Sequence, residues 1–498
     1  MIIRSGGQKK VIMAKNKSLG VNALLNGIRT ILNLLFPIIT FPYVSRVLQV
    51  ENVGKYNFAL SLNQYFLLIA ALGITTYAIR EGTKYRDQRK ELDQFASEVF
   101  TINLVSTVIA YLLMAICLIT IPKFYSYRLI MLIFSIELIF TTIGTEWIFS
   151  IFEEYAYITI RSIIFKVVSI ILLLLLVKQP DDYIIYAGIT VFANAGSNIL
   201  NYIHAKKYCR LRITLDCNWR KHIVPILVIF ASTMATSLYV NSDMTMLGFM
   251  ATNYEVGIYS VSSKVYRIVK MMLASVLVVS IPRLALLMGQ SRMGEYKKTL
   301  IQIFNVLTIL VLPAVVGLFL LSEEVVLLIS DVTYIQAVTS LRLLSVALAF
   351  CIFGWIFNQC VLIPAKKEKI VLIATIISAI ANIAINYFLI PVWKENAAAF
   401  STIVAEAIMM VICLYYGLKV VKLNAGVINN MVTVGIGCGV ISLLCIFIRR
   451  LEMSAVFTLC ISVIVSVLGY GLSLIVFRNR VALELMRKVF ARLGRSEK

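Results

Sequence analysis

The chain has 498 residues, of which 60% are hydrophobic and 14% charged, and its formal net charge is +22. A soluble protein carries about 25% charged residues, and apolar runs long enough to cross a bilayer recur along the whole of this chain, so a soluble globular architecture is excluded. The Lys and Arg excess would suit nucleic acid if it formed one patch, but it is dispersed between the apolar runs, as membrane-flanking loops require.

The N-terminus, MIIRSGGQKKVIMAKNKSLG, is basic and leads into a long apolar span. No small-residue cleavage site follows a short apolar stretch, so a retained first helix is expected, with Met13 as an alternative start. Hydropathy predicts fourteen spans. The first six cover about 20–44, 53–79, 94–120, 127–151, 155–177 and 182–204, and the next six about 222–248, 256–282, 299–321, 335–361, 369–391 and 396–418. Two more follow at about 427–448 and 453–477. Fourteen spans put both termini on one side. Most of the 47 Lys and Arg fall in the segments on that side, among them REGTKYRDQRKE and AKKYCRLRITLDCNWRK, which predicts cytoplasmic termini.

Span 1 carries Arg29 near its middle, with Asn22, Asn26 and Asn33 along its length and Pro37 and Pro42 interrupting its hydrogen-bond ladder. Spans 4 and 5 carry Glu137, Glu146, Arg161 and Lys166. In an antiparallel hairpin, residues at equal depth have a nearly constant index sum. That predicts structural ion pairs Glu146–Arg161 and Glu137–Lys166.

ENVGKYN at 51–57 recurs as YEVGIYS at 254–260, Arg80 recurs as Arg283, and WIF at 147–149 recurs at 355–357. The offsets are 203 and then 208, one loop difference apart. The chain is therefore expected to be a duplication: a first lobe over 1–212, a second over 213–425, and spans 13 and 14 with a basic tail over 426–498. An even number of spans per copy gives the lobes the same orientation, with a site between them near the membrane midplane.

Span 8 contains SSKVYRIVK, which places Lys264, Arg267 and Lys270 at i, i+3 and i+6 on one stripe. At the cost of burying charge in lipid, such a stripe must either snorkel to the outer interface or face a cavity. The matching first-lobe residues are Ser61, Gln64 and Leu67, two of them polar, which favours the cavity. Arg342 in span 10 joins Arg29 and the stripe as cations with no acidic partner assigned. Ser61, Gln64 and Asn33 complete the expected polar wall. Asp243 near the outer end of span 7 and Glu406 in the middle of span 12 are the candidates for coupling to a proton or sodium ion. A central space with these cations suits an anionic ligand, above all phosphate or pyrophosphate.

No metal and no cofactor are expected. His204 and His222 flank a basic loop without an acidic or thiol cluster, and the nine cysteines form no CxxC pair and lie mostly in apolar spans. There is no nucleophile elbow or phosphate-binding glycine loop, and the outer loops are short, so an enzyme is not expected. In the tail, Val481, Leu485, Val489 and Leu493 share a face among basic residues and predict an interfacial helix.

Three stretches carry a family resemblance. FPYVSRVLQVENVGKYNFALSLNQYFLLIAALGITTYAIREG, SLYVNSDMTMLGFMATNYEVGIYSVSSKVYRI and EWIFSIFEEYAYITIRS resemble bacterial polysaccharide repeat-unit flippases, although that family often has Gln-Gly where Ser150-Ile151 stands here. The family belongs to the multidrug, oligosaccharidyl-lipid and polysaccharide exporter superfamily. The resemblance implies an all-α membrane fold of fourteen helices, with two six-helix lobes in a V around a cationic cavity. It implies transport of an undecaprenyl-pyrophosphate-linked oligosaccharide from the inner to the outer leaflet of the bacterial cytoplasmic membrane, for capsule, exopolysaccharide or O-antigen. The partners implied are that lipid, the bilayer and a polysaccharide polymerase or export complex. A peptidoglycan-precursor flippase of the same superfamily shares these features and stays open. A drug–cation antiporter would have twelve helices and an acidic cavity, and a membrane glycosyltransferase or polymerase would need a long catalytic loop.

Overall fold

The structure is a computed structural model. It describes residues 19–214, 218–422, 426–484 and 487, with the backbone alone for 19–26, 28–35 and 426–428. The side chains of Asn22, Asn26, Arg29 and Asn33, the N-terminal segment before Leu19, and Leu485, Val489 and Leu493 of the expected tail helix lie outside the described residues.

The described residues form helices and no strand. The first is α1 (Leu19–Ala71), which Gln49 divides into two arms by its non-helical φ of 61°. α2 (Ile74–Gly82), α3 (Arg89–Thr120), α4 (Arg128–Gly144), the short α5 (Glu146–Ile151), α6 (Tyr155–Leu176), α7 (Tyr183–Val191) and α8 (Asn198–Ala205) follow. Then come α9 (Trp219–Met250), α10 (Asn253–Gly289), α11 (Met293–Leu320), α12 (Ser322–Ile329), α13 (Ala337–Trp355), α14 (Glu368–Trp393), α15 (Glu395–Leu418), α16 (Gly426–Arg449) and α17 (Ala455–Val476). Among the described residues, thirteen helical stretches are long and apolar enough to cross a membrane. The first, Phe36–Tyr85, spans the turn at Gln49, so counting both arms of α1 gives the fourteen passes expected from hydropathy.

Outward faces are apolar and exposed, as at Ile109, Leu112, Ile116 and Ile119 on α3 and Leu443 and Phe447 on α16. Spacings of three and four put such residues on one helical face, and lipid is the solvent that tolerates it. Cys209, between the sixth and seventh spans, is buried, and burial pushes its thiol up to about 12, so it stays protonated and inert.

The repeated VG motif explains itself in the packing. The second arm of α1 crosses the start of α10 with backbone against backbone. A Cβ on Gly54 would lie 1.8 Å from Asn253 O, and one on Gly257 would lie 2.1 Å from Val50 O. Only glycine fits at such a crossing. Polar bonds extend the seam. Arg46 Nε donates to Ser330 O at 2.8 Å and Nη2 to Leu328 O at 2.9 Å, Tyr334 Oη donates to Ser45 O at 3.0 Å, and Lys123 Nζ donates to Phe249 O at 2.9 Å. Gly257→Leu is therefore expected to wedge this end open. Cysteines placed at Val50 and Val256, with the native cysteines removed, should cross-link readily and lose that linkage when Gly257→Leu is added. Undiminished cross-linking would mean the close crossing is dispensable.

At the opposite end α9 leans on α2 and α3. His222 is fully buried there, with Nε2 2.6 Å from Glu98 Oε2 and Nδ1 2.7 Å from Tyr77 Oη. Between the two ends, Thr75 and Thr76 on α2, Ser232, Thr233 and Thr236 on α9, and Arg267 on α10 remain exposed within apolar helices. Thr233 and Thr236 donate to the carbonyls of Ile229 and Ser232 on their own helix, so among these residues it is the Arg267 charge that lipid tolerates least.

Candidate functional site

A cavity of about 250 Å3 lies among α9, α10, α13, α14 and α15. Its exposed rim carries Val240, Arg267 and Met271, and its buried end carries Asp243 and Glu406. Arg267 and Lys270 of the stripe on α10 line it and Lys264 does not, and the three cations have different surroundings.

Lys270 Nζ lies 3.1 Å from Glu406 Oε1, and Tyr266 Oη donates to the same oxygen at 3.2 Å. This corrects the expectation that both Lys270 and Glu406 lack partners: α10 and α15 bring together residues 136 positions apart. A charge taken out of water is retained only with a counter-charge, and Glu406 is 7% exposed at its side chain. Arg267 stays exposed, with Nη2 donating to Val240 O at 3.3 Å. Lys264 Nζ sits 3.7 Å from the centre of the Phe41 ring on α1, a cation–π contact across the two sets of helices. Neither Lys264 nor Arg267 has a carboxylate partner among the described residues. Lys270 is therefore the member of the stripe that has a carboxylate partner among the described residues.

Asp243 has no ion pair among the described residues. Its Oδ1 accepts from Asn382 Nδ2 at 2.9 Å, Asn386 Nδ2 at 2.7 Å and Ser401 Oγ at 3.3 Å, and its Oδ2 accepts from Thr402 Oγ1 at 2.6 Å and Tyr259 Oη at 3.0 Å. The Oδ1 of Asn386 is buried without a donor. Five hydrogen bonds from amide and hydroxyl donors thus replace the water that burial takes from this carboxylate. The sequence reading missed these partners. Asn382 and Asn386, four residues apart on one face of an apolar helix, were the available signal.

The other candidates disperse. Arg342 lies outside the cavity, its guanidinium 6.0 Å from the Phe319 ring and its Nε buried without a partner. Ser61 is buried where α1 meets α9, donating to Phe58 O and accepting from Thr245 Oγ1 at 3.2 Å, so it packs the seam rather than an open wall. Gln64 is half-buried one turn further on. Arg161 Nη2 lies 3.5 Å from Glu146 Oε2. Glu137 is instead reached by Asn63 Nδ2 at 3.4 Å, and Lys166 Nζ lies 5.5 Å from the Phe36 ring centre. The index-sum rule works near the turn and fails further away. There α6 packs against α1, α7 and the π-helical turn Phe192–Gly196, and it meets the fourth span chiefly through α5.

No group of three or more His, Cys, Asp and Glu able to hold a metal occurs among the described residues.

The long apolar helices define a multi-pass membrane protein, and their arrangement is a transporter fold. It is similar to the lipid II flippase MurJ in an inward-closed conformation, with a TM-score of 0.74 at 14% identity, covering 93% of this chain and 99% of that one. It is also similar to an inward-facing multidrug resistance transporter of the MATE family, with a TM-score of 0.58 at 14% identity over 81% and 98% of the two chains. A candidate O-antigen transporter of Shigella dysenteriae is 26% identical over 402 residues, 78% of this chain and 96% of the relative. Another from Escherichia coli K12 is 25% identical over 236 residues, 47% of this chain, and the match spans only 57% of that relative's length. The profile of the family described as polysaccharide biosynthesis protein matches residues 19–288, and the chain belongs to that family.

Proposed function

We propose that the protein is a flippase for lipid-linked oligosaccharide repeat units, moving an undecaprenyl-pyrophosphate-linked cargo from the inner to the outer leaflet of the bacterial cytoplasmic membrane. The observation that carries this is the pair of cations on α10 without carboxylate partners among the described residues, Lys264 and Arg267. A pyrophosphate is the membrane-lipid anion whose chemistry matches them. Family membership favours a polysaccharide unit over a peptidoglycan precursor, although the MurJ fold is compatible with either.

In this reading the two sets of helices are pseudo-symmetric lobes, 1–212 and 213–425, that rock about the Gly54–Gly257 crossing. Span count and loop charge support cytoplasmic termini with the crossing on the outer side, an orientation in which the described state is closed outside. A polymerase or export complex would receive the cargo there. Outward movement of about two negative charges is assisted by an inside-negative potential, at about 2.3 kcal/mol per charge per 100 mV. The Asp243 cluster and the Lys270–Glu406 pair are the groups nominated to bind a proton or sodium ion on the return.

The direct test is complementation. A flippase-null strain carrying this gene and the matching glycosyltransferases should regain surface polysaccharide, and failure at normal protein level would reject the reading. In vesicles loaded with a fluorescent lipid-linked sugar, transport should follow an imposed potential, and Asp243→Asn should lower turnover about 10-fold or more by removing the ionisable group. Wild-type turnover in Asp243→Asn would clear Asp243 of a coupling role.

A further inference from the structure

A second cavity, of about 220 Å3, lies within the first six spans, lined from α1, α2, α3, α4, α5 and α8. The backbone is irregular on three sides of it. Leu72 (φ 46°) and Gly73 (φ 74°) separate α1 from α2, Thr145 (φ 39°) separates α4 from α5, and the π-helical turn Phe192–Gly196 leads towards α8. Within a bilayer, helices break where side chains, water or a ligand replace the lost backbone bonds, and such breaks gather at transport sites. Part of the replacement is visible: Asn103 Nδ2 and Ser106 Oγ donate to Ala70 O at 2.8 and 2.6 Å.

Other polar atoms at this cavity have no partner among the described residues. They are the exposed hydroxyls of Thr75 and Thr141, the indole N–H of Trp147, the Oδ1 of Asn103 and the Nδ2 of Asn198. Trp147 is 3% exposed as a whole and is one of the residues that line the cavity. The Glu146 carboxylate, also in the wall, is near Arg161 at 3.5 Å. The unpartnered set is neutral and mixes donors with acceptors. A metal ion uses acceptors only, and a phosphate uses donors only. A sugar ring, whose hydroxyls each donate and accept, uses both. The volume equals that of about seven liquid waters at about 30 Å3 each, the scale of one ring.

The position also has a counterpart. Leu67, Trp147 and Asn198 line this cavity, while Lys270, Trp355 and Glu406, displaced by 203, 208 and 208 residues, line the cavity in the second six spans. The cavity in the second six spans has the Lys270–Glu406 pair in its wall, and this one has the Glu146 carboxylate with neutral polar atoms beside it.

The geometry points to a saccharide subsite: the cavity in the first six spans takes one sugar ring of the cargo, held through its hydroxyls by Thr75, Asn103, Thr141, Trp147 and Asn198. This rests on the transport reading above. It divides the work, with the pyrophosphate at the cations of α10 and carbohydrate in the first bundle.

The test uses the full chain in nanodiscs and two probes. One is the repeat-unit oligosaccharide released by mild acid from the source strain's lipid-linked pool, and the other is undecaprenyl pyrophosphate without sugar. Thr75→Val and Thr141→Val are near-isosteric and sit at exposed positions, so the double variant should fold. A monodisperse profile with wild-type undecaprenyl pyrophosphate binding verifies it. Ala71→Leu, which fills the cavity, is the second variant. The expected result is oligosaccharide binding weakened at least 10-fold in both variants while undecaprenyl pyrophosphate binds as to wild type. Oligosaccharide binding unchanged in both variants, or absent from wild type while the pyrophosphate binds, overturns the subsite and leaves the flippase reading standing. Binding of neither probe by wild type overturns both.

Discussion

Replacing Lys264 and Arg267 together by alanine is expected to reduce polysaccharide export to background at normal protein level. Lys264 and Arg267 are the cations of the stripe with no carboxylate partner among the described residues. Each charge-assisted hydrogen bond to a phosphate oxygen contributes about 1.5–3 kcal/mol, so losing one cation should weaken cargo binding roughly 10- to 100-fold. Arg267→Lys separates two modes of action. A mild loss means that the residue serves as a charge, and a severe one means that the planar fork on the phosphate matters. Surface polysaccharide measured against the amount of membrane-inserted protein provides the readout. Full export by the double variant would remove the anion site from the mechanism.

Breaking the Lys270–Glu406 pair is the second large expected effect. Lys270→Ala leaves the Glu406 carboxylate buried with Tyr266 as its remaining partner, and Glu406→Ala leaves an ammonium in a cavity wall. Truncating one partner of a buried pair costs about 3–5 kcal/mol, whereas replacing both by apolar residues of similar volume is often neutral. Both single alanine variants should therefore show a markedly lower midpoint of thermal unfolding in detergent. The double variant Lys270→Met/Glu406→Leu should recover most of that stability. Glu406→Gln still accepts from Tyr266 but cannot ionise. It is expected to fold and to turn over slowly if the carboxylate takes part in coupling. If the double variant is less stable than either single, the pair is not an isolated charge contact. If Glu406→Gln transports at the wild-type rate, the carboxylate serves structure alone.

His222 shows how far local spacing can mislead. In sequence it flanks a basic loop with no acid nearby, yet it is sealed against Glu98 and Tyr77, contributed by helices more than a hundred residues earlier. The hairpin rule for spans 4 and 5 has the same limit. It holds for Glu146 and Arg161, which sit close to the chain reversal, where connectivity keeps the helices together. It fails for Glu137, because α6 departs to pack on α1.

The number of spans, the all-helical architecture, the cationic stripe on α10 and the repeated VG motif were readable from the chain itself. Each depends on local quantities: apolar run length set by bilayer thickness, charge placed by loop position, helical periodicity, and self-similarity at a fixed offset. The purpose of the VG motif, a glycine-to-glycine crossing, became visible only once the two copies were brought together. The partners of the buried charges were decided by the tertiary structure alone. Lys270 meets Glu406, and Asp243 meets Asn382, Asn386, Ser401 and Thr402, across separations of 136 to 159 residues. No periodicity encodes such contacts. They follow from which helix faces turn inward when the bundle packs, and from the high cost of leaving a desolvated charge without a counter-charge or a shell of hydrogen-bond donors.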